Sequence, residues 1–192
     1  AVTQQRIDGI IMKCTVMRCY ESKNVFGHVV SCKGPDEDKF DVGLIVDAVT
    51  WLGHVKLIMK TDQERSLVSL AKQALQSIRV QVEGIESASL EHSQAYDSQA
   101  SGGTEVGVRS LRGQFRCLHL CLQDRVGQVI PVTHPLTSWI LEHVALLLNV
   151  QHRGEDGLTA WSRARGRAFG QRLIGIGESV LYKLPLKGPQ HD

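Results

Sequence analysis

Apolar positions along the chain recur with two spacings, which predict strands first and helices later. Residues 6–32 are rich in β-branched and aromatic side chains and are interrupted by the polar residues 21–24, a pattern typical of a β-meander. Residues 54–61 form a further run that we interpret as a strand buried on both faces. Apolar residues spaced by three and four predict helices over residues 44–52, 66–78, roughly 104–125 and 137–149.

The remaining segments predict a short strand, a long loop and a basic tail. Residues 80–82 fit a strand, and the Ser-, Gly- and Gln-rich residues 84–103 predict a mobile, functional loop. From residue 151 the chain is rich in Arg and Gly, and it ends in the strand-like residues 179–184. We therefore predict a core over residues 1–150 and, over residues 151–192, a basic linker with the start of a C-terminal β extension. Because the chain begins at Ala1, we expect it to be a segment of a longer protein.

Composition narrows the class of protein only slightly. The chain has 192 residues, of which 42% are hydrophobic and 22% charged, and its net charge is +2, as in an ordinary globular domain. Bulk charge therefore does not require a nucleic-acid partner, and no apolar run predicts a signal peptide or a membrane span. The five cysteines include no Cys-x-x-Cys pair. We expect buried free thiols in a reducing compartment rather than a zinc site.

Three carboxylates are the candidate catalytic residues. Asp62 follows the predicted strand over residues 54–61, and α/β folds place their chemistry at such strand ends. Asp8 lies between apolar residues, and Glu105 opens a predicted helix after a Gly-rich stretch. Carboxylate oxygens are the ligands that Mg²⁺ prefers, and a pair of such ions acts on phosphodiesters. Each acid could equally be a solvated surface group, and Glu105 could simply complement the helix dipole.

The order of three short motifs resembles the integrase catalytic core of retroviruses and long-terminal-repeat retrotransposons. Thr61-Asp62-Gln63-Glu64, after a hydrophobic strand, resembles the second acidic motif of that family. Residues 97–105, with Gly102 three residues before Glu105, resemble the third motif, and Ile7-Asp8 resembles the first. Residues 26–30 and 139–149 resemble further core elements, and residues 158–161 and 177–183 resemble the stretch after the core in the Pol polyprotein. The likeness extends across most of the chain.

The resemblance implies an α/β, RNase H-like fold with a five-stranded mixed sheet, an antiparallel meander plus parallel strands, flanked by helices. It implies that Asp8, Asp62 and Glu105 bind two Mg²⁺ or Mn²⁺ ions. The activity would be 3′-end processing of retrotransposon DNA followed by strand transfer. The resemblance also implies that Gln99 and Ser101 contact DNA, that the protein is a homo-oligomer, and that it works in the nucleus without a membrane partner.

A basic stripe follows Glu105 on the same predicted helix. Arg109, Arg112 and Arg116 come at steps of four, three and four, where cations can contact phosphates without reading sequence. A solvated helix face is the alternative. Five more arginines in the tail fit either non-specific DNA binding or a solvated linker. They are Arg153, Arg163, Arg165, Arg167 and Arg172.

Two departures from the family pattern keep other functions open. Ser101 stands where the family commonly has Asn, and only six residues separate Asp8 from Thr15, a short connection for the first hairpin of this fold. One alternative is therefore a decayed, catalytically inactive element fragment that binds nucleic acid or self-associates. Another is a different RNase H-like nuclease, such as one that acts on RNA–DNA hybrids.

Overall fold

The computed structural model describes residues 2–7, 10–92 and 98–181, with side chains over residues 12–91 and 102–181. Strands and helices alternate after an initial run of three strands. In chain order they are β1 (Val2–Ile7), β2 (Ile10–Arg18), β3 (Val25–Val30), α1 (Phe40–Leu52), β4 (Lys56–Thr61), α2 (Arg65–Gln81), β5 (Ser87–His92), α3 (Ser98–Val126), α4 (Leu136–Gln151) and α5 (Ala160–Arg165). The mixed α/β class predicted from the sequence is confirmed.

The strands form two sheets rather than one. β1, β2 and β3 make an antiparallel meander, in which Ile7 pairs with Ile10 and Arg18 pairs with Val25. β4 and β5 make a separate parallel pair. Within the described residues no pairing joins β1 to β4, so the prediction of a single five-stranded sheet is wrong in this respect. The pattern along a strand indicates which face is buried, but it does not say which strand lies beside it.

β4 is a half-exposed strand. Its exposed residues alternate with half-buried ones that pack against α1 and α2, and Ile58 is 58% exposed. Lys56 pairs with Glu86 at 3.6 Å, and Lys60 pairs with Glu91 of β5 at 3.2 Å. The prediction of a strand buried on both faces is therefore wrong. The two lysines mark a solvent-facing side with the period of two that a strand imposes.

The helices bury the apolar stripes that predicted them, but two neighbouring segments differ from the prediction. Residues 80–82 are not a strand, because α2 continues to Gln81 and the Val82 N–H donates to the Ile78 carbonyl. Ile78 is fully buried against α1, which holds this last turn in the helix. Residues 84–103 are not one loop, because they contain β5 and the first turns of α3. β5 carries few apolar side chains, so its pattern gave little signal.

Two hydrophobic clusters lie on opposite faces of the meander. Met12, Cys14 and Val16 of β2 face α3 and α4, whereas Met17 packs with α1 and α2. Alternate residues of a strand point to opposite faces, so the helices cover the sheet from both sides. The meander is therefore the central layer of the fold.

Gly27 brings α3 close to the meander. A Cβ atom at Gly27 of β3 would lie 2.9 Å from the Leu111 side chain of α3, closer than real Cβ atoms approach. Glycine is the residue that permits such close approach of a backbone to a neighbouring element. This contact fixes the distance between the long helix and the sheet.

The described part of the tail packs onto the preceding residues. The Asn24 side chain donates to the Ala160 carbonyl at 2.9 Å, and the Arg165 guanidinium lies 4.1 Å from the centre of the Trp51 ring. Ile176 is buried in the cluster formed with α3 and α4. Residues 179–181 are not in a strand, and residues 182–184 lie outside the described residues. The division into a core and a basic extension stays a prediction.

Candidate functional site

Asp62 lies directly after the carboxyl end of β4, and its side chain is exposed. β4 and β5 are parallel, and Thr61 pairs with His92, so both strands end at one edge. Residues 93–97 lie outside the described residues, and α3 begins at Ser98. Asp62 and the helix that carries Glu105 therefore both follow the carboxyl edge of the parallel pair, where α/β proteins hold their ligands.

The turn that carries Asp62 is held against the segment after β3. Glu64 accepts a hydrogen bond from Ser66 Oγ at 3.0 Å and forms an ion pair with Lys33 at 3.4 Å. Gly34, with φ of +102°, lies against Ser66, where an added Cβ would come within 3.1 Å of the serine Cβ. These contacts hold the backbone just after Asp62. They give Asp62 a defined position on the edge.

Glu105 is exposed on the second turn of α3, and the turn beneath it rests on Arg18. The Arg18 guanidinium donates to the Gly103 carbonyl, and its aliphatic part packs against Gly107. Burial lowers the pKa of Arg18, which shows that the guanidinium is partly removed from water. Glu105 therefore lies above the carboxyl end of β2, where Arg18 is the last residue.

Asp8 lies outside the described residues, but its neighbours in the sequence are described. Ile7 and Ile10 pair with each other, so they mark one end of the β1–β2 hairpin. Arg18 marks the other end of β2, about 26 Å away at the usual rise of a strand. The Glu105 turn thus contacts the end of β2 that is opposite to Ile10. The proposed role of Asp8 stays a prediction.

The donor chemistry of Asp62 and Glu105 fits Mg²⁺, which takes carboxylate oxygens as ligands. Both side chains are exposed and so are open to a cation from solvent. In the part of the chain that the structure describes, no group of three or more His, Cys, Asp or Glu side chains is arranged to hold a metal ion. The third predicted ligand is Asp8, so the complete set is not among these residues.

The basic stripe is exposed, as predicted. Arg109, Arg112 and Arg116 are all on the solvent side of α3, while Leu111 and Phe115 of the same helix are buried. Contact with DNA remains a prediction for all three arginines. The other two predicted contacts, Gln99 and Ser101, fall in the first turn of α3, and their side chains lie outside the described part.

The cysteines are free, but the prediction that they are buried is wrong for two of them. Cys14 is buried, Cys19 and Cys32 are half-buried, and Cys117 and Cys121 are exposed on α3. The last two lie on the solvent side of α3 because its buried stripe follows Leu111, Phe115 and Leu122. A thiol is a small apolar group that is often buried, but the helix face on which it lies decides its exposure.

A buried carboxylate in α1 is not indicated by the sequence pattern. Asp41 is 1% exposed in the first turn of the helix. Burial, and then the charge of Asp36, raise the pKa of Asp41 to about 6, while nearby His28 acts in the opposite direction. Its position in the first helical turn is the only signal that could have drawn attention to it, and an exposed capping carboxylate gives the same signal.

Comparisons with known proteins find matches to the fold of this chain but not to its sequence. No protein-family model matches the chain, and no curated protein matches its sequence. Solved structures do match. A chain of the simian T-cell lymphotropic virus intasome in complex with PP2A regulatory subunit B56 gamma superposes with a TM-score of 0.61 at 16% identity, over 96% of this chain and 58% of that one. The protein thus spans little more than half the length of that chain.

Two isolated catalytic cores match over most of their length. The HTLV-2 integrase catalytic core domain in complex with magnesium, in its trimeric form, matches with a TM-score of 0.58 at 16% identity, over 86% of this chain and 93% of that one. The catalytic core domain of BIV integrase matches with a TM-score of 0.53 at 15% identity, over 84% and 89%. The chain has the fold of a retroviral integrase catalytic core. This match confirms the integrase-like fold that the resemblance of the three motifs implies.

No helix within the described residues is long and apolar enough to span a membrane.

Proposed function

We propose that this integrase-like core joins DNA by metal-dependent phosphoryl transfer. The observation that carries the proposal is a fold that matches integrase cores, with Asp62 exposed at the carboxyl end of β4 and Glu105 exposed on the helix that follows β5 in the chain. One matched core is described as a complex with magnesium, which supports the same ions here. We extend the proposal to retrotransposon DNA and the Pol polyprotein on the motifs alone.

Asp62 and Glu105, together with Asp8, would hold two Mg²⁺ or Mn²⁺ ions. Such ions, when bound, activate the attacking oxygen and stabilise the leaving one. Arg109, Arg112 and Arg116 present three positive charges on one solvent-facing helix, so they would hold the phosphates beside the reacting bond. Gln99 and Ser101 at the start of α3 would add polar contacts. Positioning and charge stabilisation supply the catalysis, without a covalent enzyme intermediate.

The reaction would have two steps. Water attacks a phosphodiester near the end of the element DNA, and the bond to the 3′-oxygen breaks to leave a free 3′-hydroxyl. That hydroxyl then attacks a phosphodiester of target DNA, where a new bond to phosphorus forms and the bond to the target 3′-oxygen breaks. Matched structures are described as an intasome and as dimeric and trimeric cores, which supports a homo-oligomer on DNA. The site of action would be the nucleus.

A catalytically inactive core that still binds DNA is the second candidate, and the length of β2 favours it. The Glu105 turn rests on Arg18, while Ile10, the first described residue after Asp8 in the sequence, is at the other end of β2, about 26 Å from Arg18. β1, from Val2 to Ile7, carries no carboxylate that could replace Asp8 nearer to Arg18. A site that lacks its first carboxylate would bind DNA without turnover.

An oligonucleotide assay with Mn²⁺ separates the two candidates. The purified chain is incubated with labelled duplex DNA, and nicked and joined products are measured for the wild type, Asp62→Asn, Glu105→Gln and Asp8→Asn. Asp124→Asn is a matched control, because it changes an exposed acid at the far end of α3. The proposal predicts activity in the wild type and the control, and a loss of at least about a hundredfold in Asp62→Asn and Glu105→Gln.

The remaining outcomes assign the chain to another candidate. A folded wild type that binds DNA but gives no product with Mn²⁺ supports the inactive core. Cleavage of an RNA–DNA hybrid in preference to duplex DNA would indicate a ribonuclease instead. Full activity of Asp8→Asn would remove Asp8 from the site. Binding itself is measured by anisotropy: Arg112→Ala should weaken binding and lower the salt dependence by about one counterion. Lys72→Ala on α2 is the control.

A further inference from the structure

A thiol, an imidazole and a carboxylate lie in line at the turn between β2 and β3. Cys19 Sγ is 3.4 Å from Nε2 of His54, which lies in the segment between α1 and β4. The other ring nitrogen of His54, Nδ1, is 3.7 Å from Oε2 of Glu21. A nucleophile beside a base, with the base next to a third group, is the arrangement that activates thiols in proteins. Sequence reasoning could not find it, because Cys19 and His54 are 35 residues apart.

The turn that carries the thiol is held rigidly. The Cys19 N–H donates to the Asn24 carbonyl at 2.9 Å, and the Lys23 N–H donates to the Cys19 carbonyl at 3.1 Å. Asn24 is fully buried, and its side chain donates to Ser22 Oγ and to the Ala160 carbonyl, both at 2.9 Å. The Ser22 N–H also points at the sulfur, at 3.5 Å. A backbone donor in this place stabilises a negatively charged sulfur.

The charged groups near the thiol neither block access to it nor separate it from His54. The Glu21 side chain is 83% exposed and the His54 side chain 29%, so small molecules can reach the pair. Arg163 of α5 donates to the Ser22 carbonyl at 3.4 Å, but its charge is already paired with Asp156. The neighbouring ammonium of Lys23 lies over the Tyr20 ring at 4.2 Å. His54 is therefore the base in contact with Cys19, and Glu21 is the carboxylate nearest to that base.

The other cysteines differ from Cys19 in ways that make them internal standards. Burial raises the pKa of the Cys14 thiol to about 11, which keeps it protonated and unreactive. Cys32 donates a weak hydrogen bond to the Gly34 carbonyl at 3.5 Å. Cys117 and Cys121 are more exposed than Cys19, and within the described residues neither has a hydrogen bond or an ion pair. Exposure alone therefore predicts faster reaction at α3, whereas activation predicts faster reaction at Cys19.

We propose that Cys19 is a covalent modification site for small soft electrophiles, activated by His54 and Glu21. The thiol proton moves from Sγ to Nε2, the sulfur attacks the electrophilic carbon, a C–S bond forms, and the bond to the leaving group breaks. The imidazolium then releases its proton to water. Glu21 stabilises the imidazolium, and the Ser22 N–H stabilises the thiolate. The site lies at the amino end of β4, about 20 Å of strand away from Asp62 at the other end, and Cys19 directly follows Arg18, which supports the turn of Glu105.

Competition for limiting iodoacetamide tests the proposal. The folded full chain is alkylated at pH 6.5, iodide being the leaving group, and the rate at each cysteine is measured by peptide mass spectrometry. A thiol in contact with a base that accepts its proton should react about five to ten times faster than an ordinary exposed thiol. We expect Cys19 to exceed Cys117 and Cys121 by that factor. His54→Gln should remove the advantage, and Glu21→Gln should reduce it at least about twofold.

The control His152→Gln changes an exposed histidine elsewhere and should leave all five rates unchanged. Unfolding in guanidinium should bring the five rates together. A pH series on the wild type between pH 6.5 and 8 keeps the test decisive if His54→Gln fails to fold, because the rate at Cys19 should rise much less steeply with pH than the rates at Cys117 and Cys121. If Cys19 reacts no faster than the α3 cysteines at pH 6.5, or follows the same pH dependence, the proposal is overturned.

Discussion

Asp41 of α1 offers a direct link between one buried carboxylate and the stability of the fold. Its side chain is almost fully buried, and in the described residues Oδ2 has no hydrogen-bond partner. Its backbone N–H donates to the Asp36 side chain at 3.3 Å, which places a second acid beside it. Burial first, and Asp36 second, raise the pKa of Asp41 from its ordinary value of 3.8 to about 6. The folded state therefore favours the protonated carboxyl.

The sign of the pH dependence follows from this direction. Because the pKa is higher in the folded than in the unfolded chain, the stability from this group is fully present below pH 3.8 and is lost as the pH rises through about 6. The difference between the two pKa values corresponds to at most about 3 kcal/mol at pH 8. Asn has nearly the same shape and no charge. Asp41→Asn should thus leave the free energy of unfolding unchanged near pH 4 and raise it by about 2–3 kcal/mol at pH 8.

Urea denaturation at pH 4, 6 and 8 measures this difference, with thermal melting as a second observable. For a chain of this size, the gain at pH 8 corresponds to about 5–10 °C in the melting temperature. Asp47→Asn is the matched control, because Asp47 is exposed on the same helix. The reasoning is refuted if Asp41→Asn destabilises the chain at pH 8, or if its effect is the same at pH 4 and pH 8.

Three further substitutions test the packing and the polar contacts of the core. Phe115→Ala, at a residue 1% exposed, should lower the free energy of unfolding by about 3–5 kcal/mol in urea titration. Gly27→Ala should cost about 1–3 kcal/mol through its clash with Leu111, and a double-mutant cycle with Leu111→Ala should recover part of that cost. Asn149→Ala removes two hydrogen bonds of 2.8 Å, one to the N–H and one to the carbonyl of Val25, and should cost about 2–3 kcal/mol because both backbone groups are buried. Substitution of exposed Gln128 is the reference for all three, and equal effects at the buried sites and at Gln128 would contradict the packing described.

The helices of this fold could be predicted from the sequence because each buries a stripe with the helical period. α1 and its left-handed end at Gly53 follow from apolar spacing and a glycine, and α3 follows from the repeat that includes Leu111 and Phe115. β5 could not be predicted, because a two-stranded pair with one exposed face needs only Ala88 and Leu90 on its inner side. Sheet partners depend on tertiary contacts that a strand pattern does not encode.

The candidate site was predictable to the same extent. The position of Asp62 at a strand end and the exposure of Arg109 and Arg112 depend on local sequence and are found as predicted. The separation between Ile10 and Arg18 depends on the length and register of β2, which the motif at Asp8 does not indicate. The contact between Cys19 and His54 likewise depends on a folded turn and a distant segment, so no spacing in the sequence could reveal it.

Asn149 of α4 also has a consequence for how the molecule behaves among its own copies. β3 is paired on one side by β2, and on its other side the side-chain amide of Asn149 both accepts from the N–H and donates to the carbonyl of Val25. An amide that makes both bonds imitates one residue of a neighbouring strand. It thereby occupies the start of an edge that could otherwise recruit an extended segment of another chain into an aggregate.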